Sequence, residues 1–269
     1  MLKDLALLVD PATKGAGSYA LSLAQLPSAH LTTVPADVEP ALAAYTELRY
    51  DIIVANREDR HDAIATRAAH IHMDGLAQGL TVNMLPIDDY SDNMLDALVH
   101  SSRLFDLVIV EQASREQADG RSPIIAASVF KSGRPVLIVP HIRPGPASLG
   151  KALIAWDGSA PAARALGDAM PLLKRAEHVT ILEETCPSPE RYDGTALKQH
   201  LARHGIDARF ERTPTSGDIG KTLLSYAVEI DADLLVMGAY GHSRLREEIF
   251  GGTTKTIMGR TTIPVLMSR

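Results

Sequence analysis

Short apolar runs, each closed by a polar or small residue and followed by helical spacing, recur along the whole chain. LALLVDP (5–11) ends in aspartate, and ALIAWDG (152–158) does the same in the second half. Helical patterns follow, SYALSLAQL (18–26) and APAARALGDAMPLL (160–173), and then short strand patterns, HLTTV (30–34) and HVTIL (178–182). FDLVIVE (105–111) is answered by ADLLVMG (232–238), and RPVLIVP (134–140) by IPVLMSR (263–269). Repetition at half the chain length reads as a tandem duplication. The Pro- and Gly-bearing HIRPGPASLGK (141–151) suits a connector. The boundary is placed at residue 146, giving domains 1–146 and 147–269.

Strand runs alternating with helical patterns predict a mostly parallel sheet covered on both faces. LVIV, VLIV and LLVM are apolar throughout, as strands buried on both sides should be. The fold class expected is therefore α/β, with two tandem, open, mostly parallel five-stranded sheets. Strands are expected near 4–9, 29–34, 80–84, 105–110 and 135–139, then near 151–156, 178–183, 206–211, 233–237 and 263–267. Helices of the second copy are expected near 160–174, 192–204, 217–230 and 249–260. Residues 36–78 hold two helical patterns, ALAAYTELRYDIIVAN and HDAIATRAAHIHMDGLAQ, although DIIVA (51–55) also reads as a strand.

Composition narrows the function classes. A net charge of −6 argues against a broad hold on nucleic acid or an anionic membrane. The lone Cys186 excludes an internal disulfide and a thiolate metal cluster. The apolar run Leu5–Val9 is too short for a signal-peptide core, and no stretch approaches the ~18 apolar residues of a membrane span. A cytoplasmic protein is expected.

The chemistry concentrates in VMGAYGHSRLREEIFGGTT (236–254). Gly238 follows a strand at the edge where ligands of open α/β sheets lie. Gly241, then Gly251 and Gly252 with Thr253 and Thr254, would offer exposed amides and hydroxyls to a phosphate. Ser243 and Arg244 could add a hydroxyl and a charge-assisted contact. The same glycines also suit a turn and a tightly packed helix. Asp157 is either a ligand or an Asx turn before Ser159 and Pro161. Trp156 either packs in the core or walls a pocket.

These motifs resemble those of the universal stress protein (UspA-type) family, and the resemblance covers nearly all of the chain in two copies. ATP-binding members carry Gly, two residues, Gly, nine residues, Gly, then Ser or Thr; here these are Gly238, Gly241 and Gly251, with Gly252 replacing the hydroxyl residue. The resemblance implies a Rossmann-like fold of adenine nucleotide alpha hydrolase type. It implies a nucleoside pocket lined by Ala155, Trp156, Asp157 and Leu182 or its neighbour Ile181. ATP or AMP, with Mg bridging phosphates and Asp157 as its ligand, is the cofactor implied. It further implies that the two repeats pair as an intramolecular pseudo-dimer through their final strands, RPVLIVP and IPVLMSR, with homodimerisation beyond that. The first copy has lost the glycine motif: Glu111 stands in the place of Gly238, and Ser122 and Pro123 in that of the paired glycines.

Other motifs carry less. SGDIGKTLL (216–224) lacks the P-loop spacing, and its apolar rhythm reads as a surface helix. His70 and His72 with Asp74, and His200 with His204, fit exposed polar faces better than a metal centre. No G-x-S-x-G elbow occurs. The expected function is a stress-response or regulatory protein binding an adenine nucleotide in its C-terminal domain, with at most slow ATP hydrolysis. The alternative is an interaction module of the stress response that uses no nucleotide.

Overall fold

The computed structural model describes every residue except Met1, Pro27, 38–49, 87–93, 114–117, 143–144, 186–193, 215–216 and 240–251. The first half runs β1 (Asp4–Val9), α1 (Gly15–Gln25), β2 (His30–Pro35), α2 (Tyr50–Ala77), β3 (Val82–Met84), α3 (Met94–Ser102), β4 (Leu107–Glu111), α4 (Ala118–Lys131) and β5 (Val136–Val139). The second half runs β6 (Lys151–Trp156), α5 (Ala160–Leu173), β7 (His178–Thr185), α6 (Gly194–Arg203), β8 (Ala208–Pro214), α7 (Ile219–Glu229), β9 (Leu234–Gly238), α8 (Gly252–Arg260) and β10 (Val265–Ser268).

The chain divides into two compact units, residues 1–134 with 141–147, and residues 135–140 with 148–269. In the first unit four parallel strands lie in the order β3-β2-β1-β4. In the second, β10-β9-β6-β7-β8 are parallel, and β5 joins β10 antiparallel, with Leu137 opposite Leu266. Two separate five-stranded sheets were expected; instead the strands form one mixed sheet, β3-β2-β1-β4-β5-β10-β9-β6-β7-β8. The physical reason lies at β10. Its outer edge would otherwise expose a row of backbone donors and acceptors, and β5 satisfies them. Both strands are apolar and buried, as the expected pairing of the two final strands requires.

DIIVA (51–55) lies inside α2, a single helix of 28 residues that continues into the second helical pattern, so the strand alternative is overturned. A short β-branched run cannot be told from buried helix by periodicity alone. Downstream, Ile64, Ala68 and Ile71 recur at helical spacing and are buried, and the helix continues through them. Elsewhere caps mark the helix starts. Ser159 Oγ accepts from Ala162 N at 3.2 Å to start α5, with Pro161 in the first turn where its missing N–H costs nothing. Asp218 caps α7 by accepting from Lys221 N, so Gly220-Lys221-Thr222 opens an ordinary capped helix.

The duplication extends to individual hydrogen bonds. Asp106 Oδ2 accepts from Lys3 N at 2.7 Å, and Asp233 Oδ2 from Lys151 N at 2.9 Å. Asp10 Oδ1 accepts from Ala12 N at 2.8 Å, and Asp157 Oδ1 from Ser159 N at 2.9 Å. Before each final strand a hydroxyl accepts from a backbone N–H two residues on: Ser132 from Arg134, and Thr261 from Ile263. The same kinds of side chain, aspartate and a hydroxyl residue, thus hold the same joints in both copies.

Candidate functional site

Strand order in the second unit reverses at β6, which has β7 on one side and β9 on the other. The crevice beyond the carboxyl ends of β6 and β9 is the switch point where open α/β sheets take ligands. Trp156, Asp157 and Gly158 stand at the end of β6 and Gly238 at the end of β9. Gly158 has φ +72°, a left-handed conformation that turns the chain tightly into Ser159 and α5. Asp157 makes the Asx turn that helps fix this bend.

The register places one rung of residues across five strand ends. Ser268 is opposite Gly238, and Trp156 opposite Glu183, which is opposite Arg212. Ala155 is opposite Met237, so Trp156 is level with Gly238. Side chains on one rung share a face of the sheet. That face carries α5 and α6: a Cβ on Gly238 would meet Pro161 and Ala162 of α5, while Phe210, two residues before Arg212, abuts Gly194 of α6. Ala155 and Leu182, one residue back, face the opposite side. The site residues expected from sequence therefore divide between two faces, with Trp156 and Gly238 on one and Ala155 and Leu182 on the other.

Two buried polar atoms on this rung have no hydrogen-bond partner among the described residues: the indole Nε1 of Trp156 and the hydroxyl of Ser268. Such orphans are uncommon in folded proteins, because an unmade bond costs about 1–3 kcal/mol. Glu183 was not foreseen from the sequence. It is 6 % exposed, and its Oε2 accepts from Arg212 Nε at 3.0 Å. The Arg212 guanidinium also lies 5.2 Å from the Phe210 ring centroid. The signal available was HVTILEE itself, where acidic residues close an otherwise apolar strand.

Gly238 has a packing reason as well as a positional one. A Cβ there would stand 2.6 Å from the Pro161 carbonyl carbon and 2.9 Å from its Cβ, and would press on the Ala162 amide nitrogen. At the start of α8, Gly252 is exposed and has open space where a side chain would lie, whereas Thr254 is buried. Thr253 and Thr256 pack against Gly220 of α7. Gly241, Ser243, Arg244 and Gly251 lie outside the described residues.

The first unit solves the corresponding joint differently. Glu111, 2 % exposed at the end of β4, accepts from the amides of Lys14 and Ala16 at 2.8 and 2.9 Å through Oε2. An internal carboxylate thus occupies the amino end of α1, where the helix dipole favours negative charge. In the second unit Pro161 supplies no N–H and Ser159 takes the Ala162 amide, so glycine and close packing replace carboxylate and charge. Pro123 lies within α4, and the Ser122 side chain is outside the described set.

Among the described residues no group of three or more His, Cys, Asp or Glu side chains is placed to hold a metal ion. His200 and His204 meet ring edge to face at 4.7 Å on the exposed side of α6, and His72 Nδ1 is 2.8 Å from the Val82 carbonyl oxygen. A polar cavity of about 440 Å³ opens between the end of β8 and α7, lined by Thr213, Asp218, Thr222, Tyr226 and Glu229 among others. Burial, and secondarily the charge of Glu211, push the Tyr226 phenol above its ordinary value. This cavity stands two strands from the switch point. No described helix is long and apolar enough to cross a membrane.

Comparison with known proteins places this geometry. Residues 149–269 match the model of the universal stress protein family. Universal stress protein Slr1230 of Synechocystis is 29 % identical over 185 residues, covering 65 % of this chain and 62 % of that protein, so the chain spans somewhat under two thirds of the relative's length. A universal stress protein from Archaeoglobus fulgidus superposes with a TM-score of 0.77 at 17 % identity, covering 99 % of this chain and 96 % of that one. A Pseudomonas aeruginosa protein of unknown function superposes at 0.59, also at 17 % identity, covering 99 % and 92 %. At these identities the two structures bear on the fold.

Proposed function

We propose that this chain, whose residues 149–269 match the universal stress protein family, is a stress-response or regulatory protein binding an adenine nucleotide, ATP or AMP, at the carboxyl edge of its second unit. The observation that carries this reading is the coincidence of Trp156, Asp157, Gly158 and Gly238 with the switch point between β6 and β9. The orphan Nε1 of Trp156 supplies a hydrogen-bond donor that a bound base would satisfy. Amides at the start of α8, around Gly252 and Thr253, would hold phosphate oxygens with the favourable end of the helix dipole. No general base or nucleophile is assigned, so the role is recognition, with at most slow hydrolysis.

The packing of Gly238 on Pro161 favours a second reading, in which the glycine serves the scaffold and the protein is an interaction module independent of nucleotide. Trp156, the only tryptophan, separates the two. Titration of the intact protein with ATP, ADP and AMP should change its fluorescence and give saturable calorimetric heats, with and without magnesium. Denaturing the purified protein and analysing the supernatant by mass should release any nucleotide that co-purifies. Absence of binding at millimolar ligand would refute the nucleotide reading in favour of the second.

A further inference from the structure

The nucleotide reading leaves open how one base is chosen over another, and the polar rung bears on that choice. Trp156 and Glu183 are opposite each other on adjacent strands, about 4.8 Å apart in backbone. Trp156 Nε1 is a buried donor without a partner among the described residues. Glu183 is a buried acceptor whose Oε2 is taken by Arg212, and Oε1 makes no hydrogen bond among the described residues. One donor therefore stands beside one acceptor at the carboxyl edge of the sheet. Building on the proposed function, we propose that Glu183 and Trp156 are the specificity-determining pair for the base. Glu183 Oε1 accepts from an exocyclic amine, and Trp156 Nε1 donates to the adjacent ring nitrogen.

The chemistry selects an amidine edge. Adenine presents one amine, N6, flanked by the acceptors N1 and N7, and each half of that edge matches one acceptor and one donor. Guanine's Watson–Crick edge presents two neighbouring donors, N1–H and N2–H, to a single available oxygen, so one of them would stay unpaired, and its other amine-flanking acceptor, N3, lies on the edge crowded by the ribose. A site built to hydrogen-bond a substrate group discriminates strongly when that group is missing, because its own buried atoms are then left unsatisfied. Arg212 contributes by holding the Glu183 side chain in place through its Nε–Oε2 hydrogen bond, so it is a positioning residue.

The test is a cycle between ligand and protein on the full chain. Wild type is titrated with ATP, GTP, N6,N6-dimethyl-ATP, 1-deaza-ATP and 7-deaza-ATP, and the series is repeated with Glu183→Gln and Trp156→Phe. Thermal melts verify that both variants fold, and calorimetry replaces fluorescence for the second. Dimethylation should weaken binding to wild type about ten-fold or more, and binding to Glu183→Gln far less. One of the two deaza analogues should lose affinity in wild type and not in Trp156→Phe, identifying the ring nitrogen read. ATP binding with the same base preference and the same analogue response in all three proteins would overturn the pairing while leaving the nucleotide reading intact. Failure of every nucleotide to bind wild type would overturn both.

Discussion

Replacing Gly238 with alanine adds a single methyl group at the point where β9 meets the first turn of α5. Its Cβ would stand 2.6 Å from the Pro161 carbonyl carbon and 2.9 Å from Pro161 Cβ, and would also press on the Ala162 amide nitrogen. Two of these neighbours are backbone atoms of a capped helix start, which cannot swing aside as a flexible side chain would. Relief requires α5 to move off the sheet, and overpacking of this kind costs about 3 kcal/mol. At a urea m-value of about 2 kcal/mol/M the midpoint should fall by on the order of 1.5 M. Trp156 fluorescence follows the transition, because it is the only tryptophan and stands level with Gly238. Gly252→Ala is the control: its Cβ has open space, and the change should be neutral or stabilise by up to about 1 kcal/mol. If the midpoint of Gly238→Ala lies within about 0.25 M of wild type, the packing account is wrong. For the same reason, loss of nucleotide binding in any Gly238 variant reports on the joint before it reports on the ligand.

Other outcomes follow from the same geometry. Glu111→Ala should destabilise the first unit by about 2–4 kcal/mol, because two buried amides lose their acceptor. Glu111→Gln, which keeps an acceptor oxygen, should cost less in guanidinium unfolding followed by circular dichroism; equal losses would refute the capping role. Leu137→Ala lies in the first repeat by sequence, yet it should destabilise the second unit by about 2–5 kcal/mol and shift the Trp156-monitored transition. An unshifted transition would count against the β5–β10 pairing. Tyr226 should ionise above the ordinary tyrosine value of 10.0, because burial and then Glu211 disfavour its charged form. The folded state therefore resists this ionisation, and the associated stability is lost as pH rises through the unfolded value toward the folded one. Absorbance titration against Tyr226→Phe should show a late-titrating phenol disappear from the variant, and no change in the curve would refute it.

Part of the local geometry at the switch point was legible because its signals are local. An apolar strand ending in Asp-Gly, with Ser159 and Pro161 beyond, allowed an Asx turn at Asp157; the left-handed turn at Gly158 and the cap at Ser159 came with the structure. Strand alternation then puts Gly238 at the same edge. Glu183 and Arg212 were not legible: each is an ordinary charged residue in its own strand, and they meet Trp156 only through the register of β6, β7 and β8.

The sequence by itself determined the duplication, the order of strands in each copy and the helices of the second. Those depend on periodicity. Only the tertiary structure decided what long-range pairing settles: that DIIVA stays helical within α2, and that β5 completes the edge of β10. It also decided that Gly238 and Glu111 are two answers to one problem, a strand end meeting a helix start. A glycine allows close approach where proline and a serine cap leave no amide to satisfy, and a carboxylate is needed where two amides remain.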